Sequence, residues 1–165
     1  MMDFFTSAKH RHRLTFVKLA DHMEHLDRAA AWAEGEWGYI RNKGVEYRKG
    51  VLTSLNACTY IGLFGGQAVA MFVLFDKEIC HELRPRFAAS ELMYVYVDKF
   101  CRDLGFGRQI VDEAKRLAQV AGSDCIVFDT LKTKLNRFYE RCGAKVVAEG
   151  KLFSEPTDVL VMKVC

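Results

Sequence analysis

A strand-forming run leads through a glycine-containing turn into an amphipathic helix in the middle of the chain. Residues 91–97, ELMYVYV, are rich in residues that favour strands, and CRDLGFGRQ follows them directly. Gly122 is placed to end the helix, whose apolar residues recur at helical spacing at Ile110, Val111, Ala114, Leu117, Ala118 and Ala121. A strand, a tight turn and a helix in this order predict the α/β class.

The residues before this unit predict a strand and a helix. Residues 14–18 have the composition of a short strand. Asp21 and Glu24 have capping-box spacing, which predicts a helix opening there. Glycines at positions 35, 38, 44 and 50 interrupt the next stretch, so the pattern leaves its helical content open.

Strand patterns fill most of the remaining chain. The runs CTYIGLF and QAVAMFVLF flank Gly65 and Gly66, which predicts a hairpin with a tight turn of positive φ. Residues 76–89 have the polar composition of a loop. Further on, the pattern predicts a strand at 125–129, a helix at 132–142 and closing strands at 145–148 and 158–163.

The order β-α-α-β-β-β-α-β-α-β-β predicts a mixed sheet of six to seven strands with helices on both faces. At 165 residues the chain is long enough to bury one core. We therefore expect a single domain over residues 1–165, with residues 1–13 as a flexible N-terminal arm.

Composition excludes several classes of function. The 24 Lys and Arg residues against 21 Asp and Glu residues leave a net charge of +3, too little for a nucleic-acid surface. No apolar run approaches the roughly 20 residues of a membrane span, and the N-terminus lacks a signal-peptide core. The cysteines form no CxxC pair and stand singly within apolar patterns. These features favour a cytoplasmic protein.

The turn before the central helix is suited to binding an anion. Arg102-x-x-Gly105-x-Gly107 places two glycines and a cation at the helix start, and Arg108 and Lys99 add charge. Unpaired backbone N–H groups and the helix dipole bind phosphate at such a position. Many turns with this pattern are purely structural, so the fragment by itself leaves both interpretations open.

Other phosphate-binding motifs fit less well. The chain has no Gly-x4-Gly-Lys-Ser/Thr for a nucleoside triphosphate. A dinucleotide-binding turn would have a third glycine where Ile110 stands, although Asp129 could supply its acidic residue. A nucleotide-binding oxidoreductase is therefore the less favoured alternative.

Two segments together resemble the GNAT superfamily of acetyl-CoA-dependent N-acetyltransferases. The run YVDKFCRDLGFGRQIVDEAKRLA is similar to its acetyl-CoA-binding motif, Arg/Gln-x-x-Gly-x-Gly/Ala after a strand. Residues 136–144, NRFYERCGA, are similar to its Phe-Tyr-Glu-Lys-x-Gly-Phe segment. The element order from residue 14 to 163 also matches, so the resemblance covers nearly the whole chain.

The resemblance implies an acyl-CoA site between residues 91 and 108. The backbone of Val95, Tyr96 and Val97 would pair with pantetheine as a peptide adds to a sheet edge, and the Val95 N–H would polarise the thioester carbonyl. Arg102 would add charge to the pyrophosphate site, formed by the backbone N–H groups of Asp103, Leu104, Gly105, Phe106, Gly107 and Arg108.

The resemblance also implies two catalytic side chains. Tyr139 would protonate the leaving thiolate, although a core tyrosine is the alternative. Glu91 would be the general base, as in the histone-acetyltransferase branch, although an exposed strand-end carboxylate is equally consistent. Asp129, with helix capping as its alternative role, or a water molecule could replace Glu91 as base.

Two positions depart from the family pattern. Lys132 stands where the family usually has an asparagine seven residues before the tyrosine, which affects one side-chain contact to the cofactor. Gly143 is followed by Ala144 instead of phenylalanine, which alters packing.

The implied reaction transfers the acetyl group from acetyl-CoA directly to a primary amine of a small molecule or a protein. A non-catalytic acyl-CoA-binding regulatory domain is the alternative, and a homodimer is possible with either. Trp32, Trp37 and Tyr39 lie where the family builds its acceptor pocket, and Glu34 and Glu36 could attract a cationic amine. No metal is expected: His22 and His25 have helical i, i+3 spacing, and with no third ligand recognised they are interpreted as part of a solvated face.

Overall fold

The computed structural model describes residues 12–81, 84–131, 133–152 and 154–164. They form a seven-stranded mixed sheet in the order β1-β2-β3-β4-β5-β7-β6, flanked by helices. The strands are β1 (Thr15–Lys18), β2 (Thr59–Phe64), β3 (Gln67–His81), β4 (Arg84–Val97), β5 (Cys125–Thr130), β6 (Ala144–Leu152) and β7 (Glu155–Lys163). The α-helices are α1 (Leu26–Arg41), α2 (Val45–Ser54), α3 (Phe106–Val120) and α4 (Asn136–Arg141). The predicted α/β mixed sheet is confirmed.

The sheet is continuous on one side of β4 and open on the other. β4 pairs antiparallel with β3 over most of its length, from Arg84 to Val97. Its pairing with β5 is parallel and extends only from Ala89 to Glu91. The two strands therefore part after Glu91, although both continue beyond this point.

Two apolar clusters cover the two faces of the sheet. On one face lie α1 and α2, whose Ala29, Ala30 and Leu52 are fully buried. On the other lies α3, whose helical spacing of apolar residues buries Ile110 and Ala114 completely. No helix among the described residues has the length and apolarity needed to cross a bilayer.

The loop predicted for residues 76–89 is wrong, because most of this segment extends the β3–β4 hairpin. Asp76 pairs with Ser90 and Glu78 with Ala88. Strand pairing satisfies the backbone groups of this polar segment, whose composition suggested a loop. Pro85 is tolerated because β4 pairs with β5 only from Ala89 onward, so this part of the strand has one neighbour.

The predicted capping box is also wrong. Asp21 and Glu24 lie in two short 3-10 turns, and α1 begins at Leu26 after His25, which makes no side-chain capping bond. The Glu24 carboxylate instead lies 3.1 Å from His22 Nδ1. The start of α1 therefore has no side-chain cap.

The glycines after residue 34 do not interrupt α1, which runs through Gly35 and Gly38. Gly38 has a packing role, because a Cβ there would stand 2.6 Å from Glu34 Oε1. The helix ends at Asn42, which is left-handed with φ 50° and donates its N–H to the Gly38 carbonyl at 2.6 Å.

The hairpin turn is confirmed, with φ of 57° at Gly65 and 78° at Gly66. The helix predicted for residues 132–142 is shorter, because a 3-10 turn, Thr133–Leu135, precedes α4. Lys132 and residues 1–11 lie outside the described residues.

Candidate active site

A cavity of about 440 Å³ fills the opening between β4 and β5. β4 contributes Glu91 and Tyr94 to its wall, and β5 contributes Asp129. Trp37 of α1 and Tyr139 of α4 close it from other sides. The divergence of two parallel strands thus brings together residues that are far apart in the sequence.

A β-bulge at Tyr94 shapes this opening. The register between β3 and β4 shifts between Met71 and Val73, and Tyr94 has a φ of 50°. Met93 and Tyr94 consequently pack on the same face, with α1 and α2, instead of on opposite faces. The side chain of Glu91, two residues before Met93, lies on that face as well.

Beyond the bulge, alternate residues of β4 direct their backbone groups into the opening. The Asp98 N–H donates to the Val69 carbonyl of β3 at 2.7 Å. Because alternate residues of a strand face the same neighbour, Tyr96 also faces β3, whereas Val95 and Val97 face the side where β5 has departed. The backbone of Val95 and Val97 can therefore accept a strand-like ligand.

The start of α3 has the backbone of an anion cradle. Gly105, its N-cap, is left-handed with φ 82°, and Asp103 is left-handed with φ 65°. Gly105 provides no capping side chain, and the first turn of α3 has no acidic residue. A Cβ on Gly105 would meet nothing within 4 Å, so the space before the helix is open. Successive N–H groups in such a turn suit the phosphates of a CoA molecule.

The arginines beside this cradle make contacts within the protein. Arg102 donates through Nε to the Val97 carbonyl at 3.1 Å, and its guanidinium lies 5.5 Å from the Tyr96 ring centroid. Arg108 Nη1 donates to the Arg141 carbonyl at 3.4 Å. Arg102 thus lies along the end of β4, and Arg108 reaches the end of α4.

Tyr139 is buried at the boundary of the cavity. Only 7% of its surface is exposed, and its ring centroid lies 4.7 Å from that of Phe128 and 5.1 Å from that of Phe138. Burial, with a smaller contribution from Cys142, raises the pKa of Tyr139 to about 12. The phenol therefore keeps its proton at neutral pH.

Three carboxylates border the same cavity, those of Glu36, Glu91 and Asp129. Glu91 is half-buried at the last position where β4 and β5 pair. Asp129 is exposed on β5 and does not cap α4, whose N-cap residue is Leu135. Glu91 approaches from the α1 and α2 face, whereas Tyr139 belongs to the cluster on the opposite face. The two sequence-predicted catalytic residues are thus brought together from opposite faces.

The predicted acceptor residues have different environments. Trp37 and Glu36 border the cavity, together with Tyr47 of α2. Trp32 stacks on Tyr96 with ring centroids 5.4 Å apart. Tyr39 is 58% exposed and is not part of the cavity wall.

Arg48 and Tyr94 border the cavity but belong to none of the recognised motifs. Arg48 is only 4% exposed. Its position four residues before the buried Leu52 places it on the inward face of α2, a signal present in the sequence. The left-handed backbone of Tyr94 has no comparable signal.

The described residues also bring His22, Glu24 and His25 together, away from the cavity. Glu24 Oε1 lies 3.1 Å from His22 Nδ1 and 3.9 Å from His25 Nε2. Glu24 is thus the third potential ligand that the spacing of the histidines did not indicate. That the protein needs no metal stays a prediction.

The comparisons with known proteins agree with this geometry. The model of the Acetyltransferase (GNAT) family matches residues 26–144, which include the β4–α3 unit and Tyr139. The chain belongs to the GNAT acetyltransferase family. It is accordingly an acyltransferase, as the sequence motifs predict. No curated protein sequence matches this GNAT acetyltransferase.

Solved structures show the same fold at low sequence identity. An aminoglycoside 6'-N-acetyltransferase complexed with coenzyme A aligns with a TM-score of 0.71 at 13% identity, over 92% of this chain and 97% of that chain. Aminoglycoside 6'-acetyltransferase type Ii gives a TM-score of 0.70 at 12% identity, over 92% of this chain and 97% of that chain. A chain of the NatC complex bound to Gag peptide and CoA gives a TM-score of 0.64 at 15% identity, over 92% of this chain and 98% of that chain. Two of these relatives were thus solved with CoA.

Proposed function

We propose that this GNAT acetyltransferase transfers the acetyl group of acetyl-CoA directly to a primary amine. One observation carries the proposal: β4 parts from β5 after Glu91, directly beside the uncapped start of α3. The cavity at this opening is lined by Val95, by the Glu91 carboxylate and by the protonated phenol of Tyr139. An acid–base pair in this cavity, an open strand edge and a phosphate cradle at the start of α3 are what acyl transfer from a CoA thioester requires.

Acetyl-CoA, when bound, would supply an activated acetyl thioester. Backbone N–H groups from Asp103 to Arg108 would hold its phosphates, since Gly105 leaves the space before α3 open. Val95 and Val97 would hold the pantetheine arm through their backbone. The Val95 N–H would stabilise the negative charge that develops on the carbonyl oxygen.

The proton chemistry divides between the two faces of the sheet. An alkyl ammonium has a pKa of about 10.4 and must lose a proton before or during attack. Glu91 lies on the face of α1 and α2, where Trp37 and Glu36 line the acceptor side, and would accept this proton directly or through water. Tyr139 approaches from the other face and would donate its phenolic proton to the departing sulfur.

The acceptor is proposed only as a primary amine of a small molecule or a protein. The non-catalytic alternative is not favoured, because Glu91 and Tyr139 border one cavity. The cytoplasmic location, the homodimer and the single domain stay predictions. So do the roles of the individual site residues.

A panel of primary amines, assayed for free thiol release from acetyl-CoA, tests the proposed function. The expected result is amine-dependent thiol release with matching acetylated product by mass spectrometry. Thiol release without an acetylated amine would indicate hydrolysis only. Tight binding of acetyl-CoA with no turnover on any acceptor class would support the regulatory alternative.

A further inference from the structure

Arg48 connects both helices of the acceptor side to the bulge in β4. Its Nε donates to Glu34 Oε2 of α1 at 3.0 Å, and its Nη2 donates to the Trp37 carbonyl at 2.8 Å. Its Nη1 donates to the Tyr94 hydroxyl at 2.8 Å. All three guanidinium nitrogens are therefore engaged, and each binds a different residue.

This arrangement fixes Arg48 in place. A buried cation is costly unless it is paired and hydrogen-bonded, and Arg48 is only 4% exposed. The guanidinium is a planar fork, so the two bonds to α1 determine where the third nitrogen points. Gly38 contributes, because the Glu34 carboxylate lies where a Cβ on Gly38 would stand. The side chain of Arg48 thus presents a rigid donor to Tyr94.

Tyr94 needs such a restraint. A tyrosine with φ of 50° is in the left-handed region, which L side chains rarely adopt. Such conformations persist only where the surrounding structure determines them, and they concentrate at functional sites. Three described contacts hold the Tyr94 side chain: the Arg48 hydrogen bond, the Arg48 guanidinium 5.8 Å from the Tyr94 ring centroid, and the Trp37 ring, whose centroid lies 5.2 Å away.

We propose that Arg48 is a positioning residue for acetyl transfer. It holds the Tyr94 hydroxyl, keeps Tyr94 left-handed, and thereby sets the direction of the peptide N–H of Val95, the next residue. This inference rests on the proposed function, in which that N–H is the oxyanion donor. Arg48 itself touches neither the acyl group nor the phosphates; its effect passes through Tyr94.

The test compares Tyr94→Phe, which removes only the hydroxyl, with Arg48→Met. Both variants are expected to lower kcat by about 10- to 100-fold, somewhat less than the loss of an oxyanion donor itself. The dissociation constant of acetyl-CoA should change less than about 3-fold, because the phosphate cradle is at α3. The double variant should be no slower than Arg48→Met, since both changes remove the same interaction.

A matched control and a conservative variant separate positioning from folding. Tyr60→Phe makes the same chemical change on β2, in the cluster on the opposite face, and should keep full kcat. Arg48→Lys retains a donor for Tyr94 and should recover part of the kcat that Arg48→Met loses. If Arg48→Met does not fold, Tyr94→Phe still decides, because it leaves the buried ion pair intact.

The closing measurement is the ¹⁵N–¹H NMR shift of the Val95 amide without ligand. It should move in Tyr94→Phe and stay unchanged in Tyr60→Phe. An unchanged Val95 amide shift in Tyr94→Phe, or full kcat in the same variant, overturns the positioning role of Arg48. If the native enzyme acetylates no amine, the proposed function fails, whereas the Val95 shift still decides whether Arg48 controls the bulge.

Discussion

A Cβ atom on Gly107 would stand 3.3 Å from Cζ of Phe138, so the first turn of α3 lies directly against the ring of an α4 residue. The two glycines of the phosphate motif therefore have different roles. Gly105 has a left-handed backbone that favours glycine, whereas Gly107 avoids a tight contact between a Cβ and the Phe138 ring. Both effects act at the same end of α3.

Replacing Gly107 should disturb packing as well as ligand binding. Gly107→Val should lower the free energy of unfolding by about 1–3 kcal/mol, because Phe138 must move. Measured by urea denaturation, this loss should shrink in a Phe138→Leu background. Gly105→Ala is the comparison: it should cost about 1 kcal/mol through backbone strain, with no relief from Phe138→Leu. An equal loss for Gly107→Val in both backgrounds would contradict the packing role.

Acetyl-CoA should stabilise the fold. At about 100 times its dissociation constant, a ligand that binds only the native state adds roughly 2.7 kcal/mol, which differential scanning fluorimetry detects as a higher Tm. NAD and ATP at the same concentration should leave the Tm unchanged. The absence of a shift with saturating acetyl-CoA would remove the basis for the cradle at Gly105.

Stability should fall at alkaline pH because of Tyr139. Its pKa is raised from an ordinary 10.0 to about 12 in the folded protein, so the native state keeps a proton that the unfolded state loses. The stabilisation is fully present below pH 10 and is lost as pH rises through 12. The free energy of unfolding should fall by about 2–3 kcal/mol over this range. Urea denaturation measures this fall in the native protein and in Tyr139→Phe, and the difference between the two isolates the contribution of Tyr139. If the free energy of unfolding fell equally with pH in both proteins, the burial of the phenol would be contradicted.

Tyr139→Phe should also lower kcat by about 10- to 1000-fold, the range for a general acid, with little change in acetyl-CoA affinity. Steady-state kinetics on an identified acceptor, with calorimetric titration of acetyl-CoA, measures both. The ring remains in contact with Phe128 and Phe138, so folding should be preserved. Full activity of Tyr139→Phe would disprove the acid assignment.

Glu91→Gln should lower the rate chiefly at low pH, where the amine is hardest to deprotonate. The pH profile of kcat at saturating acetyl-CoA measures the effect. Asp129→Asn is the matched comparison, since Asp129 borders the same cavity from β5. If Asp129→Asn loses activity while Glu91→Gln keeps it at every pH, Asp129 is the base. If both retain activity, water alone accepts the proton.

Local sequence signals predicted the elements that are determined locally. Gly65 and Gly66 allow only a tight turn between two strand-forming runs, and the hairpin forms there. The apolar spacing after Gly107 specifies α3 because one face must be buried. Neither prediction requires knowledge of distant residues.

The failures occurred where distant partners decide the structure. Residues 76–89 are polar but become strand because β3 and β4 pair along their length. Arg48 is buried because Glu34, Trp37 and Tyr94 converge on it from two other elements. The bulge at Tyr94 likewise depends on register with β3. Helical spacing places Arg48 on the inward face of α2, but neither its three partners nor the strand pairing nor the bulge has a spacing signature within a single segment.

Because β4 and β5 part after Glu91, the backbone N–H groups of β4 have two different environments. From Ala89 to Glu91, the β4 peptide groups have a strand on both sides, whereas the N–H groups of Val95 and Val97 face no strand of the described residues. Their hydrogens should exchange with solvent deuterium much faster than those at Ala89 and Ser90, despite lying in the middle of the sheet. A bound ligand that fills this gap would slow their exchange, so β4 itself would report occupancy.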